Sequence, residues 1–125
     1  MSTETPPADL SAPVHHDFGT EAGEGQKFFR RYLEATIKHG GSDLHLKADL
    51  PPRVRVRGSL KSLQTEDNSP QLMFQIAKDV LDDLQYDHFK HHGQIDFAYD
   101  YDDDNRFRVN LFMARGKISV AARRI

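Results

Sequence analysis

The sequence predicts an α+β domain, a largely antiparallel sheet with helices packed on one face. Three observations carry this. A series of short segments alternates apolar and polar residues with the two-residue period of a half-buried strand. Other stretches repeat apolar residues every three to four positions, as an amphipathic helix does. The links between successive strands are too short for parallel crossovers, which need a dozen or more residues.

Residues 1–24, MSTETPPADLSAPVHHDFGTEAGE, hold three prolines, two glycines and scattered single apolar residues without periodicity. Such a segment does not bury enough surface to offset backbone ordering at roughly 1–2 kcal/mol per residue, so it reads as a disordered leader. It has neither the basic start nor the apolar run of a secretory signal. Residues 25–125 then form one domain. Gln26–His39 is a helix, with Phe29, Leu33 and Ile37 at intervals of four, Tyr32 beside them and Gly40-Gly41 as its stop.

SDLHLKAD alternates Leu44 and Leu46 with Asp43, His45 and Lys47, and Pro51-Pro52 ends that strand. RVRVRGSL places Val54 and Val56 on one side and Arg53, Arg55 and Arg57 on the other, with a turn at Gly58-Ser59 into a short strand through Leu60 and Leu63. Ser69 is a good N-cap and Pro70 suits a first helical position, so a second helix runs through Leu72, Ile76, Val80 and Leu84. DHFKHH is a further helical piece that stops at Gly93. Three strands close the chain: QIDFAYDY, then RFRVNLF after the polar turn DDDN, then ISVAARRI after ARGK. The order α-β-β-β-α-α-β-β-β is PAS-like in outline.

Composition narrows the function classes. The chain has 125 residues, enough for one domain plus a tail, and its 38% hydrophobic content leaves little margin for the core. No cysteine is present, which removes disulfide and thiolate chemistry. A net charge of −2 argues against a general nucleic-acid binder, and no apolar run approaches a membrane span. Yet residues 106–125 carry five arginines and a lysine. Arg106 and Arg108 share a strand face by their spacing of two, and a hairpin at Ala114–Lys117 brings Arg123 to the same face with Arg115 at the tip. Such a face is either a solvated side of the sheet or an anion site, since a planar guanidinium matches phosphate geometry. Composition does not decide between them.

A resemblance does. GGSDLHLKADLPPRVRVRGSLKSL resembles the opening signature of PilT-like pilus and secretion ATPases: a Ser-Asp-Leu-His-Leu strand, a Pro-Pro turn, then Arg-x-x-Gly-x-Leu. QIDFAYDY followed by RFRVNLFMARGKISVAARRI is similar to the same family's Asp-Phe-x-Tyr strand, Arg-Phe-Arg-Val-Asn-x-Phe, Arg-Gly and closing Arg-x-Ile. The resemblance spans about residues 25–125. It implies the PAS-like N-terminal domain of a hexameric motor whose RecA-like domain binds ATP and Mg. No G-x-x-x-x-G-K-[ST] loop occurs in the chain, so this piece is expected to be inactive alone. By the same resemblance, Arg108 and Arg123 contact the ATP phosphates, with Arg106 and Arg115 as second choices. The implied partners are its own RecA-like domain, neighbouring subunits and the inner-membrane platform, with no nucleic acid. The implied location is cytoplasmic, at the bacterial inner membrane, powering pilus retraction or type II secretion.

Two alternatives stand beside it. A free-standing PAS-like ligand-binding or sensory module requires an apolar internal pocket under the helices. A small nucleic-acid-binding domain requires steep salt dependence and stacking aromatics beside the arginines. Asp43 with His45, the trio His88, His91 and His92, and Asp102-Asp103-Asp104-Asn105 have metal-ligand character. The first pair is better read as fold-fixing hydrogen bonds or interdomain contacts, the histidine trio has no matching ligands elsewhere, and the acidic run, without the glycine and distal glutamate of a calcium loop, is better read as a solvated hairpin turn. Arg53, Arg55, Arg57 and Lys61 form a further basic row, either wet or at a subunit contact.

Overall fold

A computed structural model describes residues 23–125. The reading of the leader therefore lies, for residues 1–22, outside the described residues. The elements are α1 (Glu24–Lys38), β1 (Asp43–Lys47), β2 (Arg53–Val56), β3 (Ser59–Ser62), α2 (Pro70–Val80), α3 (Asp83–His92), β4 (Gln94–Asp100), β5 (Arg106–Ala114) and β6 (Lys117–Arg124). Six strands form one sheet in the order β3-β2-β1-β6-β5-β4, and every pair is antiparallel. This is the α+β architecture expected from the alternation pattern.

The two faces of the sheet differ as the alternation dictates. Leu44 and Leu46 of β1, Val109 and Leu111 of β5, and Val120 and Ala122 of β6 are buried in the same core as Phe29, Tyr32 and Leu33 of α1 and Leu72, Met73 and Ile76 of α2. Each fully buried large apolar side chain contributes about 1.5–3 kcal/mol relative to exposure. α1 begins two residues before its apolar stripe implies. Gly25 is buried there, and a Cβ at that position would overlap the backbone of Gln75 and Ile76 in α2. Only glycine permits so close a helix approach.

Three local features depart from the sequence pattern. Apolar spacing carries the second helix through Leu84, but α2 ends at Val80 and Leu81 turns extended. Asp82 then starts α3 with a capping box: its side chain accepts from the Gln85 N–H at 2.8 Å, and the Gln85 side chain accepts from the Asp82 N–H at 3.0 Å. Two orphan donors are satisfied at once, so a new helix outcompetes continuation of the old one. Leu84 is left 83% exposed. Second, the β2–β3 turn is Arg57-Gly58 rather than Gly58-Ser59, because Val56 pairs with Ser59. Both turn residues have positive φ, as do Arg115 and Gly116 between β5 and β6, the type I′ pattern whose twist suits a hairpin. Arg57 thereby leaves the row of Arg53 and Arg55.

The third feature is Asn68, in the loop that leads into α2, to which the sequence pattern assigns no role. It is fully buried. The Tyr32 hydroxyl donates to its Oδ1 at 3.0 Å, the Asp49 N–H donates to its carbonyl at 2.7 Å, and its own N–H donates to the Leu50 carbonyl at 2.9 Å. These bonds fasten α1 and the loop after β1 to the entry of α2, where Ser69 accepts from the Leu72 N–H at 3.0 Å. Burial pushes the Tyr32 phenol far above its ordinary pKa, so it remains a donor.

Gly25→Ala is expected to destabilise the domain by about 1–3 kcal/mol through overpacking. Asp82→Ala should cost about 0.5–2 kcal/mol, and Leu84→Ala under about 0.5 kcal/mol. Urea unfolding of the three variants checks the set; a core-sized loss at Leu84 would contradict the helix break.

Candidate functional site: the arginine face of the sheet

The face of the sheet opposite the core is organised in cross-strand rows. Arg108 of β5 lies directly opposite Arg123 of β6, Arg123 opposite Asp43 of β1, and Asp43 opposite Arg55 of β2. Side chains so paired project from one face with Cβ atoms about 4.5–5.5 Å apart. Leu60 of β3 and Ala98 of β4 complete the row at its two ends. The neighbouring row reads Ser62, Arg53, His45, Ala121, Asn110 and Asp96. Lys47, Ser119, Phe112 and Gln94 follow.

The structure therefore brings Arg108 and Arg123 together on the face opposite the described helices. Arg108 is exposed and has no hydrogen-bonding or ion-pair partner among the described residues. Arg123 directs Nε and Nη2 to one oxygen, Oδ2 of Asp43, at 3.4 and 3.3 Å. Its side chain is 77% exposed while that of Asp43 is 11% exposed. Arg106 is on the same face, one strand position out, and its Nε is 2.9 Å from Asp100 Oδ1. A pair this exposed contributes about 0–1 kcal/mol, so Arg106 is held only loosely. Arg115 is exposed at the hairpin tip, away from the row. Arg124 turns the other way and gives Nη2 to Asn105 Oδ1 at 3.0 Å.

The carboxylate and the imidazole of β1 share this face. Burial alone would raise the Asp43 carboxyl; the Ser42 hydroxyl and Arg123 outweigh it and hold the group below its ordinary pKa. His45 is pushed down, first by burial and then by Arg55, Arg53 and Lys47, against the opposing pull of Asp43. Its Nε2 is buried without a hydrogen-bond partner. Arg55 gives Nη1 to the Gly58 carbonyl at 3.0 Å, so its guanidinium is committed to the β2–β3 turn. The sequence pattern placed Asp43 among hydrogen-bonding residues but did not identify Arg123 as its partner. The register of two strands 80 positions apart is what joins them.

The remaining clusters are structurally occupied. His91 and His92 turn Nδ1 to the carbonyls of Asp87 and His88 at 2.8 and 3.0 Å, and the His88 and His92 rings stack 4.1 Å apart. Asp102 Oδ1 accepts from the Asp104 N–H and the Asn105 amide, both at 2.9 Å, which closes the β4–β5 turn. A hollow of about 550 Å³ lies beside α3 and β4, lined by Leu84, Gln85, His88, Gln94, Ile95 and Asp96. It is open to solvent and half polar, unlike an apolar ligand pocket under the helices.

Because the pKa of His45 is depressed by folding, the neutral ring stabilises the fold fully above its unfolded pKa of about 6.5, and that stability is lost as pH falls through the folded value. Asp43 adds a second loss, beginning below its unfolded pKa of about 3.9 and completed below the folded one. Stability measured from pH 8 to 3 should decline in these two windows. His45→Gln is expected to flatten the upper window and Asp43→Asn the lower; unchanged profiles would contradict the assigned causes.

No family model matches the chain. Curated relatives do. The type IV pilus retraction ATPase PilT of Pseudomonas aeruginosa is 34% identical over 80 residues, covering 64% of this chain and 23% of that protein. The type IV pilus ATPase PilU of the same organism is 29% identical over 97 residues, covering 78% and 25%. A crystal structure of the pilus retraction motor PilT with bound ADP superposes with a TM-score of 0.70 at 30% identity, covering 75% of this chain and 28% of that one. The chain thus spans about a quarter of the length of the curated relatives it matches. Sequence and fold agree: over the matched residues the chain is similar to the N-terminal domains of PilT-like pilus and secretion ATPases.

Proposed function

We propose that this chain is the N-terminal domain of a hexameric ATPase that powers type IV pilus retraction, or of a close relative that powers secretion. Its outer sheet face packs against RecA-like motor domains, its own and a neighbouring subunit's, and presents Arg108 and Arg123 to the phosphates of ATP. Arg106 and Arg115 are secondary contacts. The motor domain holds the nucleotide and its Mg, and the machine works in the cytoplasm at the inner-membrane platform. The observation that carries this reading is the direct cross-strand pairing of Arg108 with Arg123 on the face opposite the described helices.

The chemistry supports it. Two guanidiniums side by side repel each other, and an arriving polyphosphate removes that cost while accepting several charge-assisted hydrogen bonds. Ala98, Ala121 and Ser119 lie among the arginines on the same face. Small side chains there let a second domain approach closely enough to exclude water, which strengthens each charge interaction. Arginines so placed neutralise charge on the transferring phosphoryl group, and loss of one such donor costs roughly 10²–10³ in rate. No helix among the described residues is long and apolar enough to cross a membrane.

In a protein carrying this domain together with its motor domain, Arg108→Ala and Arg123→Ala should each lower ATP turnover by roughly 10²-fold or more, with the circular dichroism of the domain unchanged. Wild-type turnover by either variant removes that residue from the site. The 125-residue chain alone should not hydrolyse ATP, and it should bind oligonucleotides no better than an uncharged control at physiological salt; salt-sensitive, tight oligonucleotide binding would favour the nucleic-acid alternative.

A further inference from the structure

Asp43 is the one carboxylate in a row whose other charged residues are Arg55, Arg123 and Arg108. The two partners of the ion pair are unequal. Asp43 starts β1 and is nearly buried, so the carboxylate has a fixed position. Arg123 is long and largely exposed, and both of its donors reach a single oxygen at the outer limit of hydrogen-bonding distance. Arg55 does not compete for that oxygen, because its Nη1 is given to the Gly58 carbonyl. Arg108, next in the row, has no partner among the described residues. One half of the arginine pair is therefore free and the other half is parked on an internal anion.

We propose that Asp43 is a positioning residue that stands in for phosphate: it holds Arg123 against the sheet while the face is empty and releases it when a polyphosphate arrives. This rests on the anion-site reading of Arg108 and Arg123 and adds a regulator to it. Parking has two physical effects. It relieves the repulsion between Arg123 and Arg108 in the empty site, and it makes anion binding an exchange of one carboxylate for phosphate oxygens rather than a simple capture. An anion that offers only one or two oxygens gains little from the exchange, whereas a polyphosphate spanning both guanidiniums replaces the lost pair and engages Arg108 as well. The site thereby discriminates by the reach of its ligand.

The test uses the 125-residue chain and inorganic tripolyphosphate at constant ionic strength, with affinity read from the guanidinium and backbone NMR shifts of Arg108 and Arg123. Asp43→Asn should tighten tripolyphosphate binding about two- to fivefold, the range expected for removing a competing ion pair whose arginine is largely exposed. Asp43→Glu, which retains the carboxylate, should return most of the way to wild type. In an Arg123→Ala background, Asp43→Asn should change affinity far less, because the competitor has nothing to hold. In the wild-type chain, added tripolyphosphate should raise the pH at which the Asp43 carboxyl titrates, since its partner has left.

Equal affinities for wild type and Asp43→Asn overturn the exchange while leaving the anion site standing. Weaker binding by Asp43→Asn overturns it too, and makes Asp43 a support that holds Arg123 in its binding pose. An undiminished gain in the Arg123→Ala background reduces the effect to bulk charge. If no variant shifts either arginine, the anion-site reading itself falls, and the exchange with it.

Discussion

The seating of β6 between β1 and β5 is the constraint on which the rest of this domain depends. β1, β2 and β3 form one meander and β4, β5 and β6 another, each closed by short local turns. Among the described residues only the β1–β6 ladder joins them, and it pairs residues from 72 (Lys47 with Ser119) to 80 (Asp43 with Arg123) positions apart. That register sets both faces together. It places Leu44 against Ala122 in the core and, one step along, Asp43 against Arg123 on the outer face. A slip by one residue would move apolar side chains to solvent and arginines into the core, so the hydrophobic requirement fixes the electrostatic arrangement as well. Loop-closure entropy makes so distant a pairing late to form, and the arginine row straddles the join. The site therefore exists only once the whole sheet does.

The division of labour between the faces follows from the same period of two. The inner face supplies the burial that holds a domain of modest apolar content together, reinforced where Asn68 and Tyr32 fasten α1 to the loop entering α2. The outer face is left with charges that cannot all be satisfied within it. Asp43 neutralises one arginine, Asp100 another, and Arg55 bonds to its own turn, while Arg108 and the buried Nε2 of His45 go without. Polar groups left unsatisfied on a folded surface gain most from a partner that brings complementary groups, which is why this face rather than the α3–β4 hollow carries the functional reading.

Much of this was legible in the chain. Alternation at Leu44-His45-Leu46, Phe107-Arg108-Val109 and Ile118-Ser119-Val120 marked strands and faces, and the Ala114–Lys117 turn brought Arg123 to the face of Arg106 and Arg108; the register then sets it opposite Arg108. Where the pattern misled, a local polar bond outweighed apolar spacing. Leu84 continues the stripe of Leu72, Ile76 and Val80, yet the Asp82–Gln85 capping box starts a new helix and turns Leu84 outward. The signal was present as Asp-x-x-Gln, and periodicity overshadowed it. Other features had no local signature. Gly25 matters only because α2 crosses it, and Asn68 only because Tyr32, Asp49 and Leu50 converge on it. The pairing of Asp43 with Arg123 likewise requires the strand order β1-β6-β5, which no stretch of sequence states.

The two hairpin tips carry a consequence of a different kind. Arg57 and Arg115 each occupy the first position of a two-residue turn with left-handed backbone, at φ 50° and 55°. An L-residue with a full side chain adopts that conformation at a cost of roughly 1–2 kcal/mol, which glycine escapes and asparagine largely avoids. Each tip thus trades conformational ease for a long cation in solvent. Unclaimed thermodynamic headroom sits at Arg57, which touches neither the core nor the row of Arg123 and Arg108, so the scaffold can be made sturdier there; at Arg115 the same gain would remove a cation that the proposed site uses.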